Sequence, residues 1–385
     1  MENNELFAMK SENFRKALNR EETDFLPTIM SSSGGTIFWT GKTVHDLPHD
    51  PMAYAEALTD VLKDVWVDAS VLNGYTTTPL LGQAFPGAEN RFGADGTLSH
   101  LQTPTMKADE YDQLIADPTA FVANVLLPRK HPVLFGDRQE AKKALKVFAE
   151  EEFFNFVQVL GAISKVMAEK YGVTTFVNPN PMINTPLDHI FDFFRGFRGT
   201  LTDLRRQSAN VKAALDAIWE DRWAKLTAQP HDFGAPCSFQ PCHIPAYLSP
   251  KQFEELYWPY EKKLIEWINR SGAKAYIILE GKWDRLLSYF LELPKDSCVL
   301  HVDDDDFIKT YELLGQHQIL IGGLKASDCR LKKFEDIKDD VKRVIDTCAP
   351  GGGFLFSNDK GWLTPGDLNP TVVEAYNFAH EYSKK

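Results

Sequence analysis

Positive charge is scarce in this chain of 385 residues: 42 Lys and Arg stand against 54 Asp and Glu, a net charge of −12. That balance argues against a nucleic-acid groove and against a polybasic membrane patch. Cysteine is scarce too. The five thiols, Cys237, Cys242, Cys298, Cys329 and Cys348, are odd in number and scattered. The opening MENNELFAMKSENFRKALNREE has no apolar core of the secretory type, so reduced thiols and a cytoplasmic location are expected. Apolar runs long enough to span a membrane, about 18 residues, are missing. No Gly-x-Gly-x-x-Gly opens a helix after the first strand candidate, which disfavours a dinucleotide-binding open sheet. Gly351–Gly353 lacks a following Gly-Lys-Ser/Thr and precedes a strand, so it reads as a tight turn and not a phosphate cradle. Internal repeats and low-complexity segments are also absent.

What is present is an ordinary globular composition, 43% hydrophobic and 25% charged, able to bury a full core. The organising stretch is AKAYIILEGKWDRLLSYFLELPKDSCVLHVDDDD, residues 273–306. Ala275–Leu279 and Val299–Val302 are short apolar runs without alternation, as in strands buried on both faces. Trp283–Leu293 between them has helical spacing, so the unit reads as βαβ with parallel strands. Six further runs complete eight strands: Phe25–Met30, Val67–Asn73, Thr174–Val177, Ser238–Pro241, Ile319–Gly322 and Phe354–Phe356. Helical patterns separate them, the longest at Gln139–Lys170. The expected architecture is a single-domain (β/α)8 TIM barrel over 1–385. A polar helical lead-in over 1–24 and a loop-rich insertion over 75–105, at the mouth, are expected to decorate it.

In a parallel barrel, ligands bind at the carboxyl ends of the strands. Glu280 closes the fifth strand and His301 lies near the end of the sixth, with twenty residues between them. A carboxylate and an imidazole so placed suit a shared zinc ion or a general acid/base pair. A buried ion pair or a helix cap is the structural alternative. His243 and Cys242, just past the fourth strand, are the best-placed further ligands, ahead of Asp303 and Asp359. The acidic run Asp304–Asp306 reads as a solvated loop or helix cap. Tyr75, Trp283 and Trp362 follow the second, fifth and eighth strands and are candidates to stack on a planar substrate. Asn73 and Asn178, at the ends of the second and third strands, are candidate substrate contacts beside them. Phe191, Phe193, Phe194 and Phe197 read as core, and Arg195 and Arg198 as surface ion pairs or contacts to an anionic substrate.

Four segments carry a resemblance to a known family: FRKALNREETDFLP, LSPKQFEELYWPYEKKLIEWI, LLGQHQILIGGL and APGGGFLFSNDKGWLTPGDLNP. In this order and at these intervals the chain resembles the uroporphyrinogen decarboxylase superfamily over nearly its whole length. The resemblance implies a TIM barrel and one of two chemistries, decarboxylation in haem synthesis or methyl transfer to corrinoid proteins or thiols. The decarboxylase branch has Arg-Gln-Ala-Gly-Arg after the first strand, where this chain has SSSGGTIFW. It has a catalytic Asp after the second, where Asn73-Gly74-Tyr75 stands here. The thiol-methylating branch binds zinc through His-x-Cys and a distant Cys, at positions occupied here by Ile278, Glu280 and Lys360.

The chain is most similar to the methyltransferases of bacterial O-demethylase systems, whose zinc signature is Glu, Glu, twenty residues, His. Glu280 and His301 match its second half; the first Glu would be expected one residue before Glu266, where Ile265 stands. The resemblance therefore implies transfer of a methyl group from a small methoxylated, aromatic compound to the Co(I) corrinoid of a partner protein. Its implied catalytic residues are Glu280 and His301, and its implied cofactors are zinc, with His243 as a further ligand, and the partner's corrinoid. This chain has no Asp-x-His-x-x-Gly segment to hold a corrinoid itself. A homodimer is a candidate assembly. The alternatives are a decarboxylase-like lyase acting on a carboxylic acid and a thiol or amine methyltransferase.

Overall fold

The computed structural model describes residues 3–32, 34–75, 77–101 and 103–384, with the backbone alone at 72 and 73. Its strands in chain order are β1 (Ile29–Ser32), β2 (Ala69–Asn73), β3 (Asn90–Phe92), β4 (Leu98–His100), β5 (Thr174–Thr175), β6 (Val177–Asn178), β7 (Cys237–Cys242), β8 (Lys274–Leu279), β9 (Cys298–Val302), β10 (Ile319–Leu324) and β11 (Phe354–Asn358). Hydrogen bonding links β1–β2–β5 in one arc and β6 through β11, in order, in another. Every pairing in both arcs is parallel. β5 and β6 are consecutive pieces of one run, parted by Phe176. Parallel bridges from Thr28 to Phe356 and from Ser32 to Trp362 bring β11 back beside β1. The two arcs form a parallel, barrel-like α/β sheet.

The strand sequences explain this arrangement. β9 and β11 are buried at every position, the signature of a sheet covered on both faces. Side chains alternate between faces along each strand. One alternate set, including Ile29, Val71, Cys237, Tyr276, Val299 and Leu355, meets inside the ring as a single apolar cluster. The other set packs outward against the helices.

The amino-terminal helix, Asn3–Leu18, belongs to that inner cluster and closes the amino ends of the strands. Phe14 lies 4.8 Å from the ring of Phe176. Just beyond the helix, Arg20 donates to Asp296 at 2.6 Å and to the carbonyls of Gly315 and Gln318 at 2.7 Å. The glycine run belongs to this end as well. Gly352 and Gly353 have positive φ, and the Arg20 guanidinium occupies the space a Cβ on Gly353 would take. The run is a turn shaped around an arginine.

Some expected helices are shorter or interrupted. Trp283–Leu293 is a loop followed by a short 3-10 helix, Leu287–Glu292. Asp305 takes the backbone N–H groups of Trp283 and Asp284, which leaves the first half in a non-helical path. The segment 250–270 divides at Tyr257, two residues before Pro259. The long helix after the insertion is continuous from Arg138 to Tyr171, with a π-turn at Phe154–Val159. The insertion itself contains an antiparallel hairpin, β3 with β4. No described helix is long and apolar enough to cross a membrane.

Burial of Phe14 at the base of the ring makes the amino-terminal helix part of the core. Phe14→Ala is expected to lower unfolding stability by about 3 kcal/mol. Urea titration followed by far-UV circular dichroism checks this; an unchanged midpoint would mean that the helix lies on the fold without supporting it.

Candidate active site

The residue following β8 along the inward-facing alternation of Tyr276 and Ile278 is Glu280. The one following Val299 and His301 of β9 is Asp303. Both therefore emerge at the carboxyl ends of neighbouring parallel strands. Ile278 and Phe239 lie below them, packed on the inner cluster and only partly buried, as the apolar floor of the mouth.

His243 sits just past β7, between two carboxylates. Its Nδ1 is 2.9 Å from Asp192, and its Nε2 is 3.3 Å from Oε1 of Glu280. Asp192 lies on the π-turn Ile190–Arg195 and is almost entirely buried, whereas His243 is about one-third exposed and Glu280 nearly half. A second carboxylate fixes the backbone here. Fully buried Asp188 accepts the N–H groups of His243 and Ile244 and the hydroxyl of Tyr257, the last at 2.7 Å. Burial, with the charge of Asp192 next, pushes the Asp188 carboxyl up to about 6. Burial alone would lower the basicity of His243, but its hydrogen bonds to Asp192 and Glu280 outweigh that and hold it well above 6.5. The site thus carries an imidazolium clamped by a buried carboxylate on one side and a half-exposed one on the other.

His301 lies elsewhere. It is fully buried, with Nε2 donating to the Asn358 carbonyl at 2.7 Å and Nδ1 accepting from the Tyr276 hydroxyl at 2.7 Å. Burial lowers it to about 4, so at neutral pH it is an uncharged strut between β8, β9 and β11. Both of its nitrogens are engaged, and neither faces Glu280. Cys242 points away from the mouth toward Glu261, and its thiol is pushed well above the ordinary range by burial. Glu266 is exposed on the outer face of the helix Trp258–Arg270. Of the expected zinc ligands only Glu280 and His243 therefore meet. Among the described residues no three His, Cys, Asp or Glu side chains are grouped to hold a metal ion. A catalytic zinc takes three protein ligands, so this donor set does not fit one.

A second ion-pair system crosses the same mouth. Lys360, after β11, pairs with Asp303 and with Asp304, the latter at 2.9 Å. Burial opposes its charge, but the two carboxylates outweigh that and raise its pKa. Asp303 also accepts the N–H of Gly281 at 2.9 Å, which ties the Glu280 turn to the Lys360 loop. Asp306 caps the helix Phe307–Leu314, and Asp359 accepts the N–H of Ala326, both structural roles. A cleft of about 430 Å³ on this side is lined by Asp303, Gly323, Lys325 and Asp359, beside the His243 pair and not over it.

The expected ring contacts are buried in the layer between strands and helices. Tyr75 packs edge-on to Phe92, Trp283 against Phe253 and Phe290, and Trp362 against Tyr376. Trp283 still touches the site indirectly, because its Nε1 donates to the Glu280 carbonyl at 3.1 Å. Asn178 holds its own loop, donating to the Phe233 carbonyl at 2.6 Å and accepting from the Asn180 N–H at 2.9 Å. The side chain of Asn73 lies outside the described residues. Arg195 is committed to Asp203 at 2.6 Å, while Arg198 is exposed. Asp188, Asp192 and Lys360 are the site residues that sequence reasoning did not pick out for these roles. The signal for the two aspartates was the i, i+4 pair of acids in PLDHIFD, which puts both on one helical face.

A parallel α/β ring with a charged constellation at its carboxyl mouth is the layout of a barrel enzyme family. The uroporphyrinogen decarboxylase (URO-D) family model matches residues 141–377, more than half of the chain, and the chain belongs to that family. Among solved structures, a methyltransferase from Methanosarcina mazei superposes with a TM-score of 0.60 at 16% identity. The match covers 96% of this chain and 97% of that one, and at this identity it speaks to the fold. No curated protein sequence matches the chain.

The Asp192 contact accounts for the charge on His243. An NMR titration should place the His243 midpoint well above 6.5 in the native protein. Asp192→Asn should move it down, because burial is then opposed by Glu280 alone. An unmoved midpoint would remove Asp192 from this role.

Proposed function

We propose that this chain is a methyltransferase that takes a methyl group from a small methoxylated, aromatic compound and delivers it to the Co(I) corrinoid of a partner protein. The observation that carries this reading is His243, held between Asp192 and Glu280 at the mouth. An aryl methyl ether resists cleavage because the departing oxygen must take the bonding electron pair. A proton donor at that oxygen offsets the developing charge. The corrinoid supplies a nucleophile whose electron pair forms the new bond to the methyl carbon.

The side chains of this protein do the remainder. As the O–CH₃ bond breaks, its electron pair goes to oxygen and the His243 Nε2 proton follows. Asp192 holds the ring orientation, and half-exposed Glu280 returns a proton from solvent. The apolar floor of Phe239 and Ile278 suits a flat, uncharged ring. We read the two strand arcs as one (β/α)8 barrel with a helical lead-in, working in the cytoplasm.

A decarboxylase-like lyase is the second reading, since the family bears that name. The rim disfavours it: Asp303 and Asp304 already engage Lys360, and Asp192 and Glu280 already engage His243, so the carboxylates outnumber the cations. A substrate carboxylate would meet net negative charge there.

The test is incubation of the full chain with methoxylated aromatics and chemically reduced free cobalamin, following methylcobalamin and the demethylated product. Turnover is expected, with His243→Gln lowering kcat by roughly 10²–10⁴. The alkaline limb of the rate profile should lie well above pH 6.5, where His243 loses its proton. Glu280→Gln should shift that limb toward acid, because a carboxylate favouring the imidazolium is removed. Release of CO₂ from a carboxylic acid without any acceptor would instead establish the lyase.

Zinc is tested separately. With only His243 and Glu280 of the expected zinc ligands brought together at the mouth, purified and zinc-supplemented protein is expected to hold well under one metal per chain by elemental analysis. About one zinc per chain, lost in both His243→Ala and Glu280→Ala, would overturn the proton-donor reading in favour of a Lewis acid.

A further inference from the structure

A cavity of about 610 Å³ lies at the amino end of the ring, opposite the mouth. That volume falls within the range of small-molecule sites. One wall is the amino-terminal helix; the facing wall is formed by the starts of β5, β8 and β9. The rings of Phe14 and Phe176 give it an apolar side.

The polar side chains around this space are unevenly satisfied. Ser11 Oγ, Thr175 Oγ1 and Asn269 Oδ1 are buried oxygens without a hydrogen-bond partner among the described residues, and all three residues line the cavity. They come from three separate elements: the amino-terminal helix, β5 and the helix Trp258–Arg270. Buried polar groups are almost always paired, so three unpaired ones around one space point to a polar occupant. Asn269 Nδ2 already donates to the carbonyls of Ala273 and Ser297, which leaves its Oδ1 to accept. Ser11 and Thr175 can each donate and accept. The complement of that set is a ligand carrying hydroxyl groups.

Charge narrows the class. Asp296 is the only acid lining the cavity among the described residues, and it is committed to Arg20 at 2.6 Å. Arg15 is held in turn by Glu12 and Glu21, each at 2.8 Å. Lys274 donates to the Asp296 carbonyl at 2.7 Å and has no carboxylate partner among the described residues. Lys295 has none there either. Two uncompensated ammonium groups thus border one space in a chain of net charge −12. An anionic group between them gains from both.

We propose that this cavity is a second binding site, for a small hydroxylated anion of the sugar-phosphate or hydroxy-acid class. The proposal is independent of the reaction described above. Isothermal titration of the full chain with glucose 6-phosphate, citrate, inorganic phosphate and glucose tests it. Glucose 6-phosphate or citrate should bind with a dissociation constant below about 1 mM, and the two arms tell phosphate from carboxylate. Glucose lacks the charge and inorganic phosphate the hydroxyl groups, so each should bind at least about tenfold more weakly. Lys295→Glu, at an exposed position, should weaken binding about tenfold, and Lys274→Met with Lys295→Met about 100-fold. Thr175→Val keeps the shape of the side chain and should weaken binding about fivefold. The bound anion should raise the melting temperature of the wild type, because the amino-terminal helix forms one wall. His243→Gln should bind as the wild type does. No binding of either hydroxylated anion at about 10 mM, or affinity indifferent to both lysines, would overturn the site. So would loss of binding in His243→Gln, which would place the ligand at the mouth. Equal binding of glucose would overturn the role of the lysines, and equal binding of inorganic phosphate that of the three oxygens.

Discussion

Parallel strand pairing is the constraint on which the rest of this protein depends. When neighbouring strands all run the same way, every carboxyl end arrives on one side of the sheet, and residues far apart in sequence become neighbours at one mouth. His243, Glu280, Asp303 and Lys360 come from the ends of β7, β8, β9 and β11. Two of the hydrogen-bonded registers involved, Cys242 with Leu279 and Leu279 with Val302, bring these ends level. The ion pairs at the mouth are consequences of that register.

Below the mouth, the same alternation separates two kinds of polar residue. Groups at the rim keep contact with water, so His243 and Lys360 carry charge, each supported by one largely buried and one half-exposed carboxylate. Groups one step deeper are sealed and neutral. His301 is the clearest case: two positions before Asp303 on the same strand, it spends both nitrogens on its neighbours and holds three strands together. Depth along the strand decides whether a histidine is a chemical group or a structural one.

Much of this was legible in the sequence. All eight expected strand runs coincide with strands to within a few residues, because a buried parallel strand is written as a short, unbroken apolar run. Glu280 was found at a strand end for the same reason, and His243 was recognised as lying just past another. The roles of His301, Trp283, Trp362 and Tyr75 were less legible. Proximity to a strand end places a residue at the mouth only if its side chain turns inward. A bulky ring gains more from packing against helices than from facing an open, charged mouth. Trp283 shows the result, folded back so that its indole N–H supports the Glu280 carbonyl instead of a substrate.

The sequence by itself determined the parallel α/β class and the strand positions, which depend on local composition and periodicity, and the family, which depends on the resemblance of four segments. Only the tertiary structure decided which histidine is paired with which acid. Asp192 and His243 are separated by 51 residues, and their contact depends on how a π-turn packs over the end of β7. A hydrogen bond is made or lost within an ångström, and spacing in sequence has no such resolution.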